Sequence, residues 1–151
     1  MRTLLTLLTC HNSPMRHPLT SGLLLVFLFP SLALGESMDD LVKRDGLYYK
    51  KFTHVPFTGK TTGRKQVSFK NGKKHGLWVV YYRDGQLSEK GTYKNGKKDG
   101  LWVDYSWDNG QLGSKGQYID GKRDGLWEYF NEDGTVWERI TGTYKNGEKI
   151  K

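Results

Sequence analysis

Apolar and polar residues alternate in short runs along most of the chain, and the runs recur at a nearly fixed interval. Residues 91–102 have the sequence Gly-Thr-Tyr-Lys-Asn-Gly-Lys-Lys-Asp-Gly-Leu-Trp, and close copies occupy residues 67–78 and 116–127. A fourth copy begins at residue 142, so successive copies start 24, 25 and 26 residues apart. Alternation with a period of two predicts half-buried β-strands, and the interval predicts a tandem repeat architecture.

Each unit of the repeat has the pattern of strand, loop, strand and turn. The first strand ends at Phe69, Tyr93 or Tyr118. The loop opens with Asn-Gly or Asp-Gly, which tolerate positive φ, and we expect the loops at 71–76, 95–100 and 120–125. The second strands follow at 77–83, 101–107 and 126–131, and each ends at another turn dipeptide. Nothing supplies a crossover helix, so the prediction is an all-β antiparallel meander forming a single-layer twisted sheet.

The register of the sheet follows from the turn lengths. A two-residue turn at 84–85 places Trp78 opposite Gly91, and a three-residue loop at 108–110 keeps Trp102 opposite Gly116, so that each indole can lie across the neighbouring backbone. One face then carries a ladder of aromatic side chains, which are Phe69, Trp78, Tyr93, Trp102, Tyr118, Trp127 and Tyr144. We expect this ladder to hold the sheet together through cross-strand pairs. The alternative is a stacking platform for a carbohydrate or peptide.

The opposite face of the predicted sheet is also partly apolar, and a single layer would leave it accessible to a partner. The strand residues there differ between units, whereas the loops are nearly constant. Variation on a fixed frame is how repeat proteins distinguish partners. The candidate partner-binding residues are Tyr81, Tyr82, Tyr105, Trp107, Tyr129 and Phe130.

The basic residues concentrate at one edge of the sheet. The chain has 24 Lys and Arg against 16 Asp and Glu, a net charge of +8. The loops contribute a basic edge formed by Lys73, Lys74, Lys97, Lys98, Lys122 and Arg123. The main interpretation is a solvated edge that keeps the sheet soluble and blocks strand pairing. The alternative is docking on an anionic partner or membrane surface.

The N-terminal segment has the pattern of a secretory signal peptide. An apolar run at 23–29 follows Arg16 and is too short to span a bilayer. Small residues precede Glu36, so we expect residues 1–35 to be removed between Gly35 and Glu36 and the protein to be exported to the periplasm or outside the cell. We expect the true start at Met15. The alternatives are an uncleaved anchor and lipidation at Cys10.

The remaining chain divides into two parts. Residues 36–65 are expected to form an N-terminal segment and a degenerate capping repeat, because terminal repeats lack one neighbour. Residues 66–151 hold the repeats proper. At Tyr-Lys-Asn-Gly-Lys-Lys-Asp-Gly-Leu-Trp the sequence resembles the MORN repeat in its bacterial variant form, and it is similar to the YwqK-family antitoxin proteins. This resemblance implies an array of β-hairpins that binds proteins, in some cases lipids, and an antitoxin implies a partner toxin.

No catalytic constellation is present in the sequence, and we expect the protein not to be an enzyme. His54 and His75 share no metal-ligand spacing, and the recurring Asp residues suit turns, so no metal or cofactor is predicted. No nucleic acid partner is expected. The first hypothesis is an exported protein-binding scaffold. The others are a toxin-neutralising immunity protein and a peripheral binder of lipid headgroups or glycans.

Overall fold

The structure is a computed structural model that describes residues 35–151. The predicted signal peptide therefore lies outside the described residues, apart from Gly35. The described chain begins with a short 3₁₀ turn at Met38–Asp40, capped by Ser37. The Ser37 hydroxyl accepts a hydrogen bond from the Asp39 N–H, and the Asp40 carboxylate accepts one from the Ser37 N–H. Within residues 35–151 there is no helix long and apolar enough to cross a membrane.

The rest of the described chain is built of antiparallel strands. The strands are β1 (Leu41–Arg44), β2 (Leu47–Lys50), β3 (Gly59–Lys60), β4 (Lys65–Lys70), β5 (Lys73–Tyr81), β6 (Leu87–Lys94), β7 (Lys97–Lys98), β8 (Gly100–Tyr105), β9 (Leu112–Ile119), β10 (Lys122–Tyr129), β11 (Gly142–Lys145) and β12 (Glu148–Lys149). Strands β1 and β2 form a hairpin, and the others form one sheet in the order β12-β11-β10-β9-β8-β6-β5-β4-β3, with β7 paired to β6. The all-β antiparallel meander predicted from the sequence is confirmed.

The loops that join the two strands of a unit are shorter than the sequence analysis predicted. Asn71 and Gly72 both have positive φ (49° and 75°), and Lys70 already pairs with Lys73 across them. The same two-residue turn recurs at 95–96, 120–121 and 146–147. The expected six-residue loops are therefore wrong. Asn-Gly and Asp-Gly fill both left-handed positions of the tightest hairpin turn, so pairing resumes at the next lysine or glutamate.

The residues assigned to the end of each loop instead form a bulge within the second strand. Phe69 pairs with Lys74 and Val67 with Trp78, so β5 carries two extra residues there. Gly76 lies in this bulge with φ of 96°, and Gly100 and Gly125 repeat it at 92° and 80°. Each bulge shifts the chain so that its glycine faces an aromatic residue of the next strand, as Gly76 faces Tyr93.

The turns at the other end of the strands also differ in detail from the prediction. The Tyr82 N–H donates to the Gln86 carbonyl across a three-residue loop, and the Ser106 N–H donates to the Gln111 carbonyl across four residues. A bulge next to each loop compensates for the added residue. The predicted turn lengths were wrong, but Trp78 is opposite Gly91 and Trp102 is opposite Gly116 as expected.

The N-terminal hairpin closes one end of the sheet. Leu41 of β1 packs with Val67 and Phe69 of β4, both almost fully buried, and Tyr48 and Phe57 add to this cluster. The Tyr48 and Phe69 ring centroids are 5.0 Å apart. These side chains form a second layer over the N-terminal part of the sheet. Their burial stabilises the fold by roughly 25 cal/mol per Å² of apolar surface removed from water.

Candidate functional site

The aromatic face of the sheet is closed by its own side chains. Trp102 and Trp127 are each 1% exposed, although they lie on the face of a single sheet. Each indole lies across a glycine of the strand before it, Trp102 over Gly91 and Trp127 over Gly116, where a Cβ atom would overlap the ring. The sequence analysis placed the Trp102 indole across Gly116, its partner on the following strand. The indole instead covers Gly91 on the preceding strand. These tryptophans are too buried to offer a stacking platform for a sugar or peptide.

The predicted ladder forms a continuous series of ring contacts in its middle. Trp78 and Tyr93 have centroids 5.4 Å apart, and Tyr93 meets Trp102 edge to face at 5.3 Å. Tyr118 continues the series, 5.9 Å from Trp102 and 4.9 Å from Trp127. Edge-to-face geometry suits the quadrupoles of the rings.

The two ends of the predicted ladder join it differently. Phe69 belongs to the N-terminal core cluster, against which Trp78 packs. Tyr144 faces the guanidinium of Arg123 at 5.4 Å. Aromatic packing thus extends from the capping hairpin to β11.

One residue of each basic pair completes the aromatic face, and the sequence analysis missed this role. Lys74 Nζ lies 4.1 Å from the Trp78 ring centroid and 4.9 Å from that of Tyr93. Lys98 stands in the same way over Trp102 and Tyr118, and Arg123 over Trp127 and Tyr144. The preceding residue of each pair is exposed. The signal in the sequence was the four-residue spacing from the second cation of each pair to the tryptophan. The bulge between them brings the cation over the indole ring, where a cation–π contact forms.

Ionisation of Tyr93 should make stability depend on pH above 10. Burial, aided by the Glu89 carboxylate, raises the pKa of Tyr93 from 10.0 to about 12. The folded state therefore keeps a proton that the unfolded chain releases, so the free energy of unfolding should fall as the pH rises from about 10 to about 12. Urea unfolding across this range should show the fall, and Tyr93→Phe should reduce it. Burial also raises the pKa of Tyr129, so part of the fall should persist. An unchanged pH dependence in Tyr93→Phe would contradict the assignment.

The opposite face of the sheet carries an open apolar groove. Leu77 and Leu101 line it, 45% and 65% exposed, and Leu126 repeats the position in the next unit at 55%. The groove has a volume of about 370 Å³, and its lining is completed by Lys90, Gly91, Thr92, Val103 and Tyr105. In every full unit an exposed leucine directly follows the bulge glycine.

The six candidate partner-binding residues do not share one face. Tyr105 lies in the groove, Trp107 is 68% exposed in a turn, and the Phe130 ring lies beneath Lys115 Nζ at 5.5 Å. Tyr129 joins the aromatic face, with its ring centroid 6.5 Å from that of Trp127. The Tyr82 hydroxyl is engaged within the chain, because it donates to the Tyr105 carbonyl at 2.6 Å.

The sixth candidate, Tyr81, lies beside the N-terminal segment. It lines a pocket there, together with Met38 and Arg64. Of the six candidates, Tyr105 is the one that lines the groove with Leu77 and Leu101. Strand parity alone could not predict which of these side chains share a face of the sheet, because a bulge changes the face toward which the following side chains point.

Two stretches of the repeat array match a known repeat family. The MORN repeat variant family matches residues 74–95 and residues 123–146. The chain carries MORN repeat variants. Each match spans a bulged strand, the turn after it and the following strand. Each therefore contains a ladder tryptophan and the glycine that pairs with it, Trp78 with Gly91 and Trp127 with Gly142. The further similarity to YwqK-family antitoxins stays a prediction. No curated protein matches the chain.

Residues 35–151 contain no group of three or more His, Cys, Asp or Glu side chains arranged to hold a metal ion. His75 instead bonds Asn95, with Nδ1 3.3 Å from the amide oxygen. The described sheet presents a closed aromatic face, an apolar groove and a row of cations at the turns.

Proposed function

We propose that this protein is a non-enzymatic MORN-repeat scaffold that binds another protein through the apolar groove. The observation that carries the proposal is the recurrence of an exposed leucine at Leu77, Leu101 and Leu126 on the open face. Large apolar side chains left accessible in a row mark an interaction surface. Equivalent strands lie about 9.5 Å apart, twice the strand spacing, which sets the period of the matching apolar groups on the partner.

The surroundings of the groove indicate the chemistry of the partner segment. Lys90 lies beside the leucines, is exposed, and forms no ion pair within residues 35–151. In the next strand pair, the corresponding Lys115 is paired with Glu128 at 2.9 Å. A segment with apolar residues and one carboxylate would therefore bury the leucines and pair with Lys90. Export of the protein after cleavage at Gly35 is part of this proposal.

Substitution in the groove should weaken capture of the partner. Leu101→Glu places a charge at the centre of the apolar strip, and we expect partner binding to weaken at least tenfold because a buried unpaired charge is costly. Crosslinking pull-down from the compartment that holds the protein, followed by titration of the captured partner, measures this. Circular dichroism should show an unchanged fold, since Leu101 is already 65% exposed.

The matched control changes an exposed apolar residue outside the groove. Val55 is 75% exposed in the capping segment, and Val55→Glu should bind the partner normally. Equal binding by Leu101→Glu and the unchanged protein would disprove the proposed surface. Capture of a toxin encoded beside this gene would instead assign the groove to an immunity function.

A further inference from the structure

The third repeat unit departs from the other two just after the turn that follows β10. In the first two units the turn glycine and the next strand glycine are six residues apart, at 85–91 and 110–116. In the third unit they are eight residues apart, at 134–142. The longer segment contains Trp137, which is 45% exposed. The third unit therefore presents an aromatic side chain at a point where the others have a shorter connection.

Backbone contacts hold this longer segment against the end of β10. Phe130 forms an isolated antiparallel bridge with Val136. The Trp137 N–H donates to the Tyr129 carbonyl at 2.7 Å. These contacts fix the backbone of Trp137 next to the strand that carries Phe130.

The two aromatic residues line one open pocket at this turn. The other residues of its lining are Asn131, Glu132 and Asp133. The pocket has a volume of about 440 Å³. Pockets for small ligands usually begin at about 300 Å³, so the space is sufficient for a small organic molecule. The lining combines two aromatic rings with two acids, and it contains no lysine or arginine.

The negative charge of the pocket is not neutralised within the described chain. Neither Glu132 nor Asp133 forms an ion pair with a residue of 35–151. Hydrogen bonds from the Thr135 hydroxyl and N–H, at 2.6 and 2.9 Å, lower the pKa of Asp133 and keep it ionised. Lys115 lies over the Phe130 ring at 5.5 Å, but its ammonium pairs with Glu128 at 2.9 Å. Two carboxylates are thus left for a ligand.

Comparison with the first turn shows which of these features the turn itself requires. Asp84 stands there at the position of Asp133 and accepts a hydrogen bond from an N–H two residues on, in the same way. Arg83, however, stands at the position of Glu132. Three residues after the turn glycine the first unit has a serine, where the third unit has its tryptophan. The turn forms without the second acid and without the aromatic ring, so these two additions concern the surface.

We propose that this pocket binds an organic ammonium ion. Aromatic rings attract a cation through their quadrupole, and the apolar groups on the ion pack against the same rings. The carboxylates of Glu132 and Asp133 complement its charge, whereas a neutral ligand such as a sugar would leave both charges unpaired. The ammonium group belongs either to a free quaternary amine or to the side chain of a lysine. The pocket is separate from the groove of Leu77 and Leu101, so the two proposals stand independently.

Titration followed by NMR of the tryptophan indole N–H groups tests this site. The probes are choline chloride, N-acetyl-lysine amide, and dimethylbutanol, which is the neutral carbon analogue of choline. We expect a saturable shift of the Trp137 indole signal with a cation and little change with the alcohol. Glu132→Arg installs the residue of the first turn and should weaken binding of the cation about tenfold or more. Glu132 is exposed, so circular dichroism should show an unchanged fold.

A second pair of variants tests the aromatic contribution. Trp137→Ala should also weaken binding about tenfold, because it removes one of the two rings. Trp107→Ala is the matched control, since it removes an exposed tryptophan that does not line the pocket, and it should bind normally. Tighter binding of choline indicates a free quaternary amine, and tighter binding of the lysine derivative indicates a protein side chain. Absence of a saturable shift with both cations, equal binding of the alcohol, or normal binding by Glu132→Arg would overturn the proposal.

Discussion

Trp102→Ala should unfold the middle of the sheet. Trp102 is 1% exposed and packs between Tyr93 and Tyr118, over Gly91 and under Lys98. Truncation of a buried tryptophan costs about 3–5 kcal/mol of unfolding free energy. A single-layer sheet has little else to fill the space, so we expect the upper part of this range. Urea denaturation followed by tryptophan fluorescence and circular dichroism measures the loss.

Two further variants separate the causes of that loss. Trp107→Ala removes a tryptophan that is 68% exposed and should change the unfolding free energy by less than about 0.5 kcal/mol. Trp102→Phe keeps much of the ring, and no hydrogen bond is lost because the buried Nε1 has no partner in the described chain. It should therefore retain most of the stability. A Trp102→Ala protein as stable as Trp107→Ala would show that the ladder does not support the fold.

Gly116→Ala should destabilise the protein although alanine normally suits a strand better than glycine. The new Cβ would overlap the Trp127 indole at Cδ2, so the ring or the strand must move. Overpacking of this kind costs about 1–3 kcal/mol. The unfolding free energy of the variant, again from urea denaturation, tests this.

The control for this prediction lies three residues away in the same strand. At Gly113 a Cβ would stand 3.5 Å from the Asp104 carbonyl oxygen, an ordinary contact, so Gly113→Ala should cost little. In a Trp127→Phe background the cost of Gly116→Ala should shrink, because a smaller ring can yield space. Equal effects of the two glycine substitutions would show that tryptophan packing does not set the requirement for glycine at residue 116.

The strand order of the sheet follows from the recurring turn dipeptides. Asn71-Gly72 and its copies permit only an antiparallel hairpin, and local hairpins in sequence give the meander. The pairing of Trp78 with Gly91 also follows from counting residues. These features depend on backbone conformation and on a side-chain period of two, both of which are local properties of the sequence.

The candidate binding site was less accessible to sequence reasoning. Counting placed Tyr82 and Tyr105 together as contact residues, whereas the structure puts Tyr105 beside Leu101 in the groove and uses the Tyr82 hydroxyl to bond the Tyr105 carbonyl. Leu77 and Leu101 open the predicted second strands, and the sequence analysis assigned them no binding role. A bulge adds residues to one strand without a fixed sequence signature. Counting residues along the sequence therefore cannot tell which face of the sheet the side chains after the bulge point to.

The sequence by itself determined that this protein is a tandem array of antiparallel hairpins with a glycine opposite each repeat tryptophan, because turn chemistry and alternation act within a few residues. Only the tertiary structure decided which glycine each indole covers, and which cation of each pair packs on the rings. Those outcomes depend on bulges and on contact between units distant in the chain, where packing and charge rather than local conformation select the arrangement.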